Sequence, residues 1–259
     1  MRLRLLGVIA VSALALAACG SSSSAGSSSS PSSSAVTGKL TVFAAASLKE
    51  AFTTIGTDFE AANPGTTVTF NFGPSSTLAT QIAEKAPADV FAAASTKTMD
   101  TAVKAGAAST PTTFAVNTME IATPTKPTTP VTSLADLANP GVKVAVCQKE
   151  VPCGAAAQKL FTQNKLTVTP SSEEVDVKAV LSKVQLGEVD AGIVYVTDVK
   201  AAKDTVVGVE IPADQNVTTD YPIAPITGST NAAAAAAFVA YVLSPAGQQV
   251  LSAAGFAGP

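Results

Sequence analysis

The sequence predicts an α/β fold with largely parallel strands, and three features carry that prediction. Short apolar runs alternate with segments whose apolar residues recur at helical spacing. Clusters of Gly, Pro, Ser or Asn mark each change of period. About 220 residues follow a Ser-rich stretch, which exceeds the common domain size and points to two lobes.

Residues 39–45 are a short apolar run suited to a buried strand, and Ser47, Leu48, Lys49 and Glu50 follow as a capping box. Leu48, Ala51, Phe52, Ile55 and Phe59 then fall on one helical face until Asn63, Pro64 and Gly65 stop the helix. Val68, Phe70 and Phe72 alternate as a strand, and residues 73–77 open a second helix through Leu78, Ile82 and Ala83. The same alternation predicts strands at 89–93, 114–122 and 142–146, with a helix over 95–104. After Pro152 come a helix to about Phe161 and another over 176–186, then strands at 191–196, 206–211 and 223–226. Helices over 232–243 and 245–254 close the chain. The Thr/Pro-rich stretch 123–130 suits a lobe edge. The run Phe-Ala-Ala-Ala-Ser occurs at 43–47 and again at 91–95, too short an echo to establish a duplication.

Composition removes whole classes of chemistry. The chain has no histidine, which excludes a Ser-His-Asp hydrolase, a Cys-His protease, a His-ligated zinc site and an imidazole proton shuttle. Its only arginines are Arg2 and Arg4; without them 14 lysines face 19 acidic residues, a net charge of −5. No like-signed cluster stands out, and neutralising phosphates requires a basic face, so nucleic acid is not an expected partner.

Residues 1–18 carry two arginines, an apolar run from Leu5 and small residues before Cys19, the pattern of a secretory signal. The apolar run, about 14 residues, falls short of the roughly 20 that a bilayer span needs. Leu16-Ala17-Ala18-Cys19 resembles the lipobox of bacterial lipoproteins, which implies cleavage before Cys19 and a lipid anchor on its thiol. Beyond it, 20–37 is too rich in serine to offset the entropy of ordering. Residues 19–37 therefore read as a lipidated cysteine and a flexible tether, whose reach is about 25 Å. The folded part begins near Gly38.

Ligands of open α/β sheets bind beyond the carboxyl ends of strands, where helix N-termini present unpaired N–H groups. Three junctions carry small or hydroxyl residues at such positions: Ala44 to Ser47, Gly73 to Ser76 and Val151 to Gly154. Singly, a serine there is an ordinary N-cap. Together, several neutral donors without arginine or histidine suit a small dianion held by hydrogen bonds and helix partial charges.

Five segments then carry a resemblance: VFAAASL at 42–48, SSTL at 75–78, APADVF at 86–91, VPCG at 151–154 and GIVYVTD at 192–198. In this order they resemble the periplasmic molybdate-binding proteins of molybdate ABC transporters, over essentially all of residues 38–256. The resemblance implies a type II periplasmic binding protein, in which two α/β lobes close on a cleft. One lobe is 38–117 with 221–259, and the other is 118–220. It also implies a receptor and not an enzyme, without cofactor, that takes molybdate or tungstate to an ABC permease as an exported, lipid-anchored monomer. The family's ligand contacts fall on the hydroxyl and N–H of Ser47 and of Ser75, the N–H of Cys153, the N–H of Val177 and the Tyr195 hydroxyl. Molybdenum is then held as an oxyanion, with no protein atom as a metal ligand. Ser47 and Ser75 belong to one lobe and the other three to the second, so only the closed state completes the donor set.

Cys153 stands where the family commonly has alanine, a change that a backbone N–H contact tolerates. Cys147 and Cys153 lie six residues apart in an exported chain, so a disulfide is expected, with two free thiols as the alternative. Bland readings stand beside the functional ones. Tyr195 alone suits a packed strand aromatic, and Val177 the start of a helix capped by Asp176. Asp198 reads as the cap of the next helix, and Glu173 with Glu174 as a solvated helix entrance. A donor-only lining favours a fully deprotonated tetrahedron, because protonated phosphate needs an acceptor. Within this class the alternative is a receptor for another tetrahedral oxyanion, such as sulfate. Outside it stand a structural surface lipoprotein and a serine hydrolase using Ser47 or Ser75 with a lysine base, although neither serine sits in Gly-x-Ser-x-Gly or Ser-x-x-Lys.

Overall fold

The computed structural model describes residues 36–259; the signal 1–18, Cys19 with its lipobox and the tether up to residue 35 lie outside the described residues. The first part runs β1 (Gly38–Ala45), a 3-10 turn (Ala46–Leu48), α1 (Lys49–Ala62), β2 (Thr66–Gly73), α2 (Ser75–Ala83), β3 (Val90–Ala92) and α3 (Thr96–Lys104). The long β4 (Thr112–Pro124) leads into β5 (Val144–Cys147), α4 (Pro152–Gln163), β6 (Ser172–Glu174), α5 (Val177–Gln185), β7 (Ala191–Tyr195), α6 (Val196–Ala202) and β8 (Val206–Val209). Then β9 (Thr218–Pro225), α7 (Ala232–Leu243) and α8 (Pro245–Ala254) end the chain. Among the described residues no single helix is long and apolar enough to cross a membrane.

The strands hydrogen-bond in the order β2-β1-β3-β9-β4-β7-β5-β6, with β8 also on β4. β4 makes this order continuous. Its Thr112–Thr118 portion pairs with β9, and Met119 to Ala122 pair with β7. Asn216 closes the point where the partner changes: its Oδ1 accepts from the Met119 N–H at 3.1 Å and its Nδ2 donates to the Met119 carbonyl at 2.8 Å. Leaving such buried backbone groups open costs about 1–3 kcal/mol each, so one side chain holds the crossing.

The sheet is mixed, which corrects the largely parallel arrangement expected from alternation. β1 pairs in parallel with β2 and β3, and β5 with β6 and β7, but every pairing of β4 and β9 is antiparallel. β4 leaves the first sheet half where β9 returns to it, and strands passing one crossing in opposite senses must run antiparallel. The Thr/Pro-rich stretch begins inside β4, where Pro124 pairs with Val206.

Each half has its own apolar packing. In the first, Phe52 and Phe59 of α1 meet Phe238 of α7 at ring distances of 6.1 and 5.3 Å, while Leu78, Ile82 and Met99 cover the other face around Phe91. In the second, Leu160 of α4 and Val180 and Val184 of α5 pack with Val144 and Ile193. The echoed Phe-Ala-Ala-Ala-Ser runs lie side by side, with Phe43 opposite Phe91.

Two local expectations are corrected. Ser47 caps nothing: the 3-10 turn intervenes, α1 starts at Lys49, and the Ser47 hydroxyl pairs with Tyr221 instead. Glu173 and Glu174 are not a helix entrance but lie in β6, opposite Val146 and Cys147, because Asp176 caps α5 only from the next turn. Asp198 does reach back over the start of α6, its Oδ2 accepting from the Tyr195 N–H at 3.1 Å.

Candidate functional site

The site forms where strands end. β1 gives way to the 3-10 turn at Ala46, β2 ends at Gly73 just before α2, β5 leads through a short loop to α4, β6 leads to α5, and β7 ends at Tyr195. Ser47, Ser75, Cys153, Val177 and Tyr195 all line one cavity of about 20 Å³, together with Ala45, Gly73, Ala94 and Asp176. That volume exceeds the about 10–15 Å³ that one water requires and is far below an organic-ligand pocket, so the guest is compact. A larger depression of about 940 Å³ lies at the opposite, amino end of β1, around Lys39, Lys85 and Asp89. Its acid is fully engaged in structure: Asp89 accepts from the Thr41 N–H at 2.7 Å and the Ser229 hydroxyl at 2.6 Å.

Helix geometry aims the donors. In α2 the first intrahelical bond runs from the Leu78 N–H to the Pro74 carbonyl, so the N–H groups of Ser75, Ser76 and Thr77 have no helical acceptor. In α4 the ladder starts with the Ala155 N–H on the Val151 carbonyl, which leaves Cys153 and Gly154 as donors behind a helix-opening Pro152. In α5 the Asp176 carboxylate takes the Ala179 N–H at 3.0 Å and leaves the Val177 N–H open. Three helix N-termini therefore converge on the cavity with their partial positive charge.

The side chains add hydroxyls. The Ser75 Oγ accepts from the Ala94 N–H at 3.0 Å, and the Ser47 Oγ lies 2.9 Å from the Tyr221 Oη. Both serines are buried, and neither faces a general base, so the arrangement does not suit nucleophilic catalysis. Tyr195 is 1% exposed, and its Oη has no hydrogen-bond partner among the described residues. Burial pushes its phenol well above the usual tyrosine range, with the Asp198 charge adding to the shift, so it stays a protonated donor at neutral pH. Among the described residues Asp176 is the one charged side chain in the lining, and its carboxylate accepts from its own helix. No lysine among them lines the cavity.

The loop that presents Cys153 is fastened twice. Cys147 and Cys153 form a disulfide with Cα atoms 5.7 Å apart, tying the end of β5 to the first turn of α4. Gly154 packs so closely that a Cβ there would lie 1.9 Å from the Gln148 carbonyl oxygen. Among the described residues no three metal-ligating side chains come together. Sequence reasoning did not reach Ala94, which acts through its N–H, or Tyr221, a strand tyrosine with no local motif around it.

The family profile described as bacterial extracellular solute-binding protein matches residues 40–257. The chain belongs to this family. A bacterial extracellular solute-binding protein captures a solute outside the cytoplasm and is not an enzyme. The chain is 44% identical to the molybdate-binding protein ModA of Mycobacterium bovis over 97% of its own length and 96% of that protein. It is 35% identical to the molybdate-binding protein ModA of Escherichia coli, over 85% of this chain and 89% of that one. The solved periplasmic molybdate-binding protein of Azotobacter vinelandii superposes with a TM-score of 0.76 at 22% identity, over 85% of this solute-binding protein and 99% of its own chain. That likeness shows the periplasmic binding protein fold.

Proposed function

We propose that this protein is the receptor of a molybdate ABC importer, binding molybdate or tungstate in the cavity between Ser47, Ser75, Cys153, Val177 and Tyr195. One observation carries the reading: neutral donors from both sheet halves converge on a compact cavity that no cation among the described residues lines. Relatives named as molybdate-binding proteins, up to 44% identical over nearly the whole chain, narrow the oxyanion.

On this reading residues 38–117 with 221–259 form one lobe and 118–220 the other, hinged where β4 changes partner. The first lobe offers Ser47 and Ser75, the second offers Cys153, Val177 and Tyr195, and closure on the dianion is the signal passed to the permease. Hydrogen bonds to a charged acceptor are each worth about 1.5–3 kcal/mol, so five to seven of them offset the cost of association. The receptor is a monomer, held to the outer face of the membrane by lipid on Cys19.

Calorimetry of the mature chain carrying Cys19→Ser, against molybdate, tungstate, sulfate and phosphate, tests this. Molybdate and tungstate are expected to bind and to raise the melting temperature by mass action. Tighter binding of sulfate would move the assignment to a sulfate receptor. Indifference to all four would leave a structural lipoprotein.

A further inference from the structure

The two serines of the cavity share a feature that the donor set alone does not require: each oxygen has a polar group behind it. For Ser75 that group is the Ala94 N–H at 3.0 Å. An amide N–H only donates, so the Ser75 Oγ is an acceptor on that side and its single proton is free for the cavity. For Ser47 the group is the Tyr221 Oη at 2.9 Å, and there either oxygen is able to donate.

Chemistry decides the direction. A phenol is intrinsically a better donor than an aliphatic alcohol, so the stronger bond runs from Tyr221 to Ser47. The reverse bond would spend the Ser47 proton on Tyr221 and turn bare lone pairs toward an anion. Tyr221 is fully buried on β9 and does not line the cavity. Its ring is clamped edge-on by Phe256 at 5.3 Å, Tyr195 at 5.9 Å and Phe114 at 6.4 Å. This packing fixes where the phenol oxygen sits.

We infer that Tyr221 is a positioning residue that fixes the Ser47 hydroxyl as a donor into the cavity and so sets the discrimination against oxyanions that keep a proton. With Tyr221 and the Ala94 N–H each taking one lone pair behind them, both serines have their proton left for the cavity. An anion such as hydrogen phosphate brings a proton of its own and meets two serine hydroxyls already committed to donating. Without the phenol, the Ser47 hydroxyl turns freely and accepts as readily as it donates. The inference rests on the oxyanion reading of the cavity and assigns a role to a residue outside its lining.

The test is a double-mutant cycle on Tyr221→Phe and Ser47→Ala, read as the dissociation constants of molybdate and of inorganic phosphate, with the ligand-free melting temperature alongside. The phenylalanine keeps the ring packing. Tyr221→Phe is expected to weaken molybdate roughly three- to tenfold and to narrow the molybdate-to-phosphate ratio. In the Ser47→Ala background it is expected to change molybdate affinity less than about twofold, because the group it orients is gone. A purely structural role would carry the same loss into both backgrounds. Equal losses, or an unchanged phosphate ratio, overturn the inference while leaving the site intact. No loss of molybdate binding in Ser47→Ala alone would overturn the reading of the cavity and this inference with it.

Discussion

The Lys178 Nζ lies 2.7 Å from the Glu50 Oε2, joining the first turn of α5 to the first turn of α1 and thus one sheet half to the other. The same ammonium is 2.9 Å from the Oδ1 of Asp198, which is wholly buried. Burial works against the ammonium, but Asp198 and Glu50 together outweigh it and hold Lys178 above the ordinary lysine range. Burial also raises Asp198, with Lys178 opposing. The lysine next to Val177 in sequence is therefore already committed to carboxylates, which explains how it adjoins the site yet does not line the cavity.

Glu50→Gln removes only the half-exposed arm of this pair. An ion pair of that exposure is worth up to about 1 kcal/mol, so the oxyanion dissociation constant is expected to rise about two- to fivefold, with a smaller effect of salt on affinity than in the parent protein. Titrations at low and high ionic strength check both. Lys178→Met strands Asp198 in the interior and is expected to cost about 3 kcal/mol of unfolding free energy in urea.

The two serines differ in what their removal does to the fold. Ser75→Ala deletes the acceptor of the buried Ala94 N–H and is expected to lower stability by about 1–3 kcal/mol as well as weakening the oxyanion. Urea unfolding of the ligand-free variant measures the first effect, and calorimetry the second.

Gly154→Ala drives a methyl group into backbone, with 1.9 Å to the Gln148 carbonyl oxygen and 2.5 Å to its carbon. Neither atom belongs to a flexible side chain, so α4 must shift and take the Cys153 N–H with it. Binding is expected to fall at least tenfold, with a lowered melting temperature. A variant that binds like the parent would show that this donor plays no part.

Replacing Cys147 and Cys153 together by serine opens a short covalent loop. By loop-closure entropy this costs about 2 kcal/mol, and affinity is expected to fall with it because the Cys153 N–H is no longer pinned. Reducing agent added to the parent protein should reproduce both changes.

Glu120 supplies a pH signature away from the site. Burial, with the Glu210 charge beside it, raises its carboxyl from 4.5 to about 7. The folded chain then keeps a proton that the unfolded chain releases. Stability from this group accordingly declines as pH climbs from about 4.5 to about 7 and is level above that. Glu120→Gln is expected to flatten that decline, read from melting temperatures across pH 4–8.

Much of the fold was legible because it follows from local periodicity. Leu48, Phe52, Ile55 and Phe59 announce α1 by spacing, and Asp176 announces α5 by its capping chemistry. The Cys147 to Cys153 spacing pointed to the pair that the structure joins. Local signals misled where a distant partner competed: Ser47 looked like a cap, but the Tyr221 hydroxyl, 174 positions away, takes its oxygen. β6 was hidden because three polar residues pair with β5 without an apolar pattern.

From residue order alone came the succession of strands and helices, the lack of imidazole and guanidinium in the body, and the small residues at strand ends, all of which depend on neighbours within a turn or two. Packing alone decided that β4 spans both halves, that Lys178 is spent on Glu50 and Asp198, and that Tyr221 stands behind Ser47. Those relationships join residues tens to more than a hundred positions apart, and no local pattern encodes them, because their energy exists only once the chain has closed.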